Sequence, residues 1–123
     1  KVSSEALNEL FATADMFVLP AIVDKNGDTE GLGVVLVEAM TYKLPVIASN
    51  VGGIPDVIIP KVSGVLVEEK NAQSLADAIV DFMRNPDSMK QVGDMGFSFI
   101  SKEFTWNKVI DDMDRLYRKV VNN

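Results

Sequence analysis

The stretch Glu30-Gly31-Leu32-Gly33-Val34-Val35-Leu36-Val37-Glu38-Ala39-Met40 decides the fold predicted for this chain. Its strongly apolar second half predicts a buried helix over 32–41, entered through a glycine-containing turn. Before it lie a polar, turn-rich loop (24–29) and an apolar strand that ends at Pro20. A strand, a loop and a buried helix in this order are typical of a layered α/β fold.

Three short apolar runs, at 16–19, 45–48 and 64–67, predict β-strands. The first is apolar at every position, as is usual in parallel sheets that helices cover on both faces. We therefore predict a Rossmann-like, three-layer α/β fold whose parallel sheet has about three strands in this chain. Because the first strand has the composition of a central one, we expect further strands beyond those present here. The isolated chain is then expected either to self-associate through an open sheet edge or to be only marginally stable.

Helices are predicted at both ends of the chain. Ser3 or Ser4 is expected to cap the first, and Thr105 is expected to cap the last. The last helix carries apolar residues on one face, and these are Val109, Ile110, Met113, Leu116, Tyr117 and Val120. Trp106 is expected to belong to the core or to dock this helix.

Two further helices are predicted between these ends from the spacing of their apolar residues. The helix over 72–83 has a clean apolar stripe. The helix over 87–102 is expected to be weaker and to be interrupted by Gly93 and Gly96. No repeat, low-complexity segment or linker divides the sequence, so 1–123 is interpreted as a single unit.

Composition excludes several classes of function. The chain has 123 residues, no cysteine and no histidine, which excludes disulfides, thiolate metal sites and a histidine base. Its net charge of −6 and scattered basic residues argue against nucleic-acid binding. No apolar run is long enough to span a membrane, and no signal peptide is recognisable. Because the chain starts at Lys1, we expect a piece of a longer, cytoplasmic protein, with no membrane contact from this part.

The predicted entry to the helix at 32–41 has the properties of an anion site. The first amides of a helix lack partners and lie at the positive end of its dipole, so they can hold a pyrophosphate. Gly31 and Gly33 let a ligand approach the backbone closely. Glu30 and Glu38 lie about 80° apart around a helix axis, so both can border one crevice. A carboxylate there suits the diol of a ribose.

Other interpretations of these residues are possible. Glu38 can simply face water beside Thr41 and Tyr42, and Glu30 can be a neighbour of the cap that the helix dipole favours. A dinucleotide fingerprint fails because Leu36 stands at its third glycine. A calcium loop starting at Asp24 fails because its glycine and glutamate positions hold Thr29 and Val35. The pair Gly52-Gly53 is most simply a tight strand-exit loop, and contact with the ligand is its second interpretation.

The same stretch is similar to the E-x7-E motif of the retaining, GT-B-fold glycosyltransferases called glycosyl transferases group 1. The similarity extends over nearly the whole chain. Its further matching segments are Ala14-Asp15-Met16-Phe17-Val18-Leu19-Pro20, Pro45-Val46-Ile47-Ala48-Ser49, Val51-Gly52-Gly53-Ile54-Pro55 and Phe104-Thr105-Trp106. The resemblance implies that the chain is the second half of the C-terminal, donor-binding domain.

The resemblance also implies roles for single residues. Glu30 would contact hydroxyls of the donor sugar, as the catalytic residue of this chain, and Glu38 would bind the ribose. The turn from Gly31 through Leu32, Gly33 and Val34 would hold the diphosphate by its amides.

The chain departs from the family pattern at three places. Lys43 replaces a usual glycine after the helix, so a non-glycine residue is expected in a left-handed cap. Asp56 replaces glutamate, and 60–64 lacks the usual Asp-Gly turn.

The function implied is transfer of a hexose-type sugar from a nucleotide diphosphate sugar to an unknown acceptor, without cofactor or metal. The family's upstream basic pair and N-terminal acceptor domain are not in this chain, so it is expected to be inactive alone. The alternatives are a non-catalytic nucleotide-sugar-binding or scaffold module, or a GT-B epimerase or phosphorylase. A phosphorylase would be expected to bind pyridoxal phosphate. The whole protein is expected to be cytoplasmic or peripheral at the cytoplasmic membrane face.

Overall fold

The sheet is parallel and has three strands in the order β1-β2-β3. The computed structural model describes residues 2–29, 31 and 33–121. The strands are β1 (Phe17–Leu19), β2 (Val46–Ser49) and β3 (Val65–Val67). Val18 pairs with Ile47 in β2, and Ala48 of β2 pairs with Leu66. The predicted α/β fold with a parallel sheet is confirmed.

Helices flank this sheet. They are α1 (Ser4–Thr13), α2 (Val34–Thr41), α3 (Ile54–Val57), α4 (Ala72–Arg84), α5 (Pro86–Glu103) and α6 (Trp106–Val121). The short helix α3 lies where the sequence predicted only a loop, because Pro55 at its first turn has a backbone φ already suited to a helix.

The most deeply buried strand is β2, not β1. All four residues of β2 are buried, whereas the three residues of β1 are only half-buried. The first strand therefore lies at an edge of the sheet described here, although its composition is that of a central strand. Its other side pairs with no strand within residues 2–29, 31 and 33–121. Self-association through this edge stays a prediction.

Both predicted helix caps are present. The hydroxyl of Ser3 accepts a hydrogen bond from the Ala6 amide at 3.2 Å, and the Thr105 hydroxyl accepts one from the Lys108 amide at 3.2 Å. The expected core position of Trp106 is wrong, since this side chain is 82% exposed. The apolar face that Trp106 begins on α6 is exposed as well, at Val109 and at the residues Ile110, Met113 and Leu116.

Helix α5 is continuous, and the predicted interruption at Gly93 and Gly96 is wrong. Both glycines are buried where the helix meets other backbone. A Cβ atom on Gly93 would lie 2.1 Å from the Lys43 carbonyl oxygen, and one on Gly96 would lie 3.1 Å from the Ser63 carbonyl oxygen. These glycines therefore serve close packing, a non-local need that outweighs their low helix propensity.

Helix α2 ends in the left-handed cap expected at Lys43, whose φ is 59°. The amide of Leu44 donates to the Ala39 carbonyl, and the Lys43 amide donates to the Met40 carbonyl, which is the Schellman pattern. The Lys43 ammonium lies 3.3 Å from the Asp94 carboxylate and 5.4 Å from the centre of the Phe97 ring. Contacts with α5 thus help to hold a lysine in a conformation that glycine adopts more easily.

The contact between α5 and the end of α2 leads to a prediction for Gly93→Ala. Alanine favours a helix by about 1 kcal/mol over glycine, but here its methyl group overlaps the Lys43 carbonyl. We expect a net loss of about 3 kcal/mol in unfolding free energy, the upper range for overpacking. Urea unfolding followed by circular dichroism measures it. Gly96→Ala, with its longer 3.1 Å contact, is the matched comparison and should cost clearly less. Equal stability of Gly93→Ala and the unaltered chain would contradict the packing described.

Candidate functional site

The entry to α2 is built from backbone. The helix begins at Val34, two residues later than the predicted start at 32, because Gly33 is its N-cap in the left-handed conformation at φ 70°. The Gly33 carbonyl accepts from the Leu36 amide at 2.7 Å, which closes the first turn. The amides that begin this turn have no carbonyl partner within the helix. They are therefore donors available to an acceptor outside the helix.

This turn lies at the carboxyl edge of the sheet. Strand β1 feeds the loop that enters α2, and β2 and β3 run parallel to it, so all three strands end at this edge. The exit of β2 approaches closely, since a Cβ atom on Gly33 would lie 3.6 Å from the Ile54 side chain. Gly52 has φ 56°, so the tight exit loop predicted for Gly52-Gly53 is present. In open α/β sheets, ligands bind in crevices at this edge.

Glu38 lies one turn along α2 from Val34, on the same side of the helix. Four residues of helix rise about 6 Å, so the backbone of Glu38 lies about one turn beyond that of Val34. Glu38 is exposed and lines a cavity of about 340 Å³ between α1 and α2. The cavity is also lined by Ser4, Leu7, Asn8, Phe11, Val34, Val37, Thr41 and Tyr42. Within the described residues its carboxylate forms no hydrogen bond or ion pair, and is thus available to a ligand or to water.

Two of the predicted site residues, Glu30 and Leu32, lie outside the described residues. Their roles, and the placement of both glutamates on one crevice, therefore stay predictions. The angle of about 80° assumed helical geometry from residue 30 onwards, whereas α2 begins at Val34. Gly31 is exposed, and a Cβ atom there would meet no described atom within 4 Å. The approach to the backbone at Gly31 is thus open on the part of the chain that the structure describes.

The polar loop before the turn is closed by Asp24. Its carboxylate accepts from the Asn26 amide at 2.7 Å and from the Asp28 amide at 2.9 Å. Its own amide donates to the Asp28 carbonyl at 2.9 Å. The acidic pattern that mimics a calcium loop is therefore a set of turn contacts. Across 2–29, 31 and 33–121, no three or more acidic residues gather as metal ligands would.

Glu69 and Lys70 contact the loop after β1, and the sequence analysis did not single them out. Both side chains form hydrogen bonds with the backbone of Val23. These partners are 46 and 47 positions apart, so no local spacing reveals the contact. The segments that carried the family resemblance include β1 and β2 but not β3, and the charged run 68–70 after β3 was the one available signal.

A second groove, of about 580 Å³, lies along α5 and contains none of the predicted site residues. Its lining includes Val62, Met95 and Phe99 among charged side chains of α5.

None of the helices in the described part of the chain has the length and apolarity that a bilayer crossing requires.

Comparison with known proteins supports one family. The sequence profile of the family described as glycosyl transferases group 1 matches residues 1–98. The alpha-maltose-1-phosphate synthase of Mycolicibacterium smegmatis is 32% identical over 120 residues, which cover 93% of this chain and 30% of that protein. A GDP-mannose-dependent alpha-(1-6)-phosphatidylinositol monomannoside mannosyltransferase of Mycobacterium tuberculosis is 31% identical, covering 86% of this chain and 28% of that protein.

A solved structure agrees with these relatives. Sucrose-phosphate synthase from Thermosynechococcus elongatus superposes with a TM-score of 0.77 and 30% identity, over 99% of this chain and 29% of that one. The chain thus spans between 26% and 30% of the length of the first curated relatives it matches.

The two glycines of the turn are predicted to respond differently to alanine. Gly33→Ala places a β-carbon at φ 70° and 2.9 Å from Cδ1 of Leu36, a flexible side-chain atom. We expect a loss of about 1–2 kcal/mol, mainly the cost of a left-handed backbone. Gly31→Ala enters open space without a positive φ and should change stability by less than about 0.5 kcal/mol. Urea unfolding of both variants measures this difference, and equal losses would contradict the turn geometry.

Proposed function

Because this chain belongs to the glycosyl transferases group 1 family, we propose that it forms the donor-binding part of a retaining glycosyltransferase. The donor is a nucleotide diphosphate sugar of the hexose type. The family membership and the named activities of the relatives support this assignment. One of these relatives is GDP-mannose-dependent by name, which agrees with a nucleotide-sugar donor.

The observation that carries the proposal is the left-handed entry to α2 at the carboxyl edge of the sheet. Gly33 begins α2 at this edge as its N-cap and adds no side chain in front of the first-turn amides. A diphosphate bound there receives N–H hydrogen bonds and faces the positive end of the helix. Glu38, one turn further on, is then placed for the two hydroxyls of the attached ribose. We assign Gly31, Leu32, Gly33 and Val34 to the diphosphate and Glu38 to the ribose.

The reaction cleaves the bond between the anomeric carbon and the leaving diphosphate. Negative charge grows on that diphosphate while the sugar becomes oxocarbenium-like, as in other glycosidic chemistry. Amides that already point at the leaving group stabilise this charge without reorganising. Glu30 orients the sugar through its hydroxyls. This scheme employs neither a metal nor an organic cofactor.

The acceptor is bound by a part of the whole protein that this chain does not contain, as the family pattern implies. Transfer therefore requires the complete protein, and this chain alone is expected to be inactive. We place the whole protein in the cytoplasm, free or peripheral at the cytoplasmic face of the membrane.

The ribose assignment predicts the behaviour of Glu38→Ala in the full-length protein. Loss of hydrogen bonds to a charged carboxylate should weaken nucleoside diphosphate binding by about 1.5–3 kcal/mol, or roughly 10- to 150-fold. Calorimetric titration with UDP and with GDP measures the affinity. Asp56→Ala, which removes a carboxylate from α3, is the matched control and should bind normally. Unchanged affinity in Glu38→Ala would exclude the ribose contact.

A second arm of this experiment tests Glu30. Because it is assigned to the sugar, Glu30→Gln should lower turnover strongly and leave nucleoside diphosphate affinity within about threefold. Turnover is measured with the sugar donor that the unaltered protein accepts. Normal turnover together with much weaker diphosphate binding would mean that the two glutamates exchange roles.

A further inference from the structure

The loop from β1 to the turn at Gly33 is bound by two side chains from the loop after β3. We call the turn at Gly33, which begins α2, the donor turn. The Glu69 carboxylate accepts a hydrogen bond from the Val23 amide at 2.9 Å, and the Lys70 ammonium donates one to the Val23 carbonyl at 3.0 Å. The two side chains also form an ion pair at 3.6 Å. One residue of backbone is thus held by both its donor and its acceptor. We call Glu69, Lys70 and the Val23 backbone the Val23 clamp.

The sheet topology explains why this contact spans the site. Strands β1 and β3 lie on opposite sides of β2, and their following loops leave from the same edge. Lys70 turns the chain there with φ 56°, a left-handed conformation that is costly for a residue with a side chain. Glu69 and Lys70 follow β3 and contact Val23, which follows β1, so their side chains link the loops after the two outer strands.

The position of Val23 is passed on to the donor turn. Asp24 follows it directly and closes a small turn onto Asp28 through its carboxylate and its amide. Asp28 is therefore fixed relative to Val23. Only four positions separate Asp28 from Gly33, the cap of α2. The clamp thus holds the chain up to Asp28, and the packing of α2 holds Gly33.

We propose that Glu69 and Lys70 are positioning residues for donor binding, acting through Val23 and Asp28 on the turn at Gly33 that begins α2. This inference rests on the proposed function, because it assumes that the donor diphosphate binds at that turn. Neither side chain needs to touch the donor. Glu69 makes the stronger contribution, since its side chain is 31% exposed against 60% for Lys70 and solvent weakens the contact of the latter.

The test uses the full-length protein with Glu69→Ala and Lys70→Met, titrated with UDP and with GDP and assayed for turnover with its sugar donor. We expect Glu69→Ala to raise the donor KM and the nucleoside diphosphate Kd about 5- to 10-fold, Lys70→Met to raise them less, and kcat to change little. Glu69→Gln keeps an oxygen that accepts from the Val23 amide, so it should restore binding to within about twofold.

Matched controls come from the same region and residue types. Glu68→Gln alters the neighbouring carboxylate, which accepts from the Asn71 side chain instead. Lys61→Met alters another lysine with a left-handed backbone, at φ 66°. Both should bind nucleoside diphosphate as the unaltered protein does. Hydrogen exchange at residues 21–29 gives a second reading, and it should accelerate in Glu69→Ala but not in the controls.

The outcomes separate this inference from the proposed function. If the unaltered protein binds UDP or GDP and the clamp variants bind equally well, the clamp has no positioning role and the proposed function stands. If the variants lose binding only as far as their melting temperature falls, and Glu69→Gln does not restore binding, the clamp only stabilises the fold. The inference is then wrong. If the unaltered protein binds no nucleoside diphosphate, UDP and GDP included, the proposed function itself fails.

Discussion

The close docking of α2 against α5 is the contact on which the rest of this structure depends. Leu36, Ala39 and Met40 of α2 are fully buried, and the end of the helix meets Gly93 backbone to backbone. A helix held this tightly has one available position. Its first turn is therefore fixed at the carboxyl edge of the sheet, although that turn contains no charged side chain among its described residues.

In a site built from backbone donors, different groups bind the diphosphate and select the nucleoside and sugar. The amides that begin α2 suit any diphosphate, because they recognise charge and not a base or a sugar. Side chains around them must then supply selectivity, and Glu38 and Glu30 are the residues assigned to the ribose and the sugar. The loop that follows β1 is held at Val23 and closed at Asp24, and we propose that these contacts position the turn at Gly33. Such preorganisation reduces the entropy lost on binding.

The sequence predicted the features that neighbouring residues determine, such as helix caps. It did not predict the features that depend on contacts between residues far apart in the chain. The caps at Ser3 and Thr105 and the left-handed cap at Lys43 follow from short motifs or from the family resemblance. The interruption predicted at Gly93 was wrong, because the helix propensity of glycine is local whereas the carbonyl it packs against lies on another helix. The Glu69 contact was missed for the same reason, since its partner is 46 positions away.

The central claim is that the backbone amides at the start of α2 hold the diphosphate of the donor. Hydrogen exchange on the full-length protein, with and without saturating UDP or GDP, tests it directly at residue resolution. The account predicts slowed exchange at the amides of Gly31, Gly33 and Val34, and little change along the α5 groove. Binding that leaves these amides unprotected, with slowed exchange confined to another part of the protein, would contradict it.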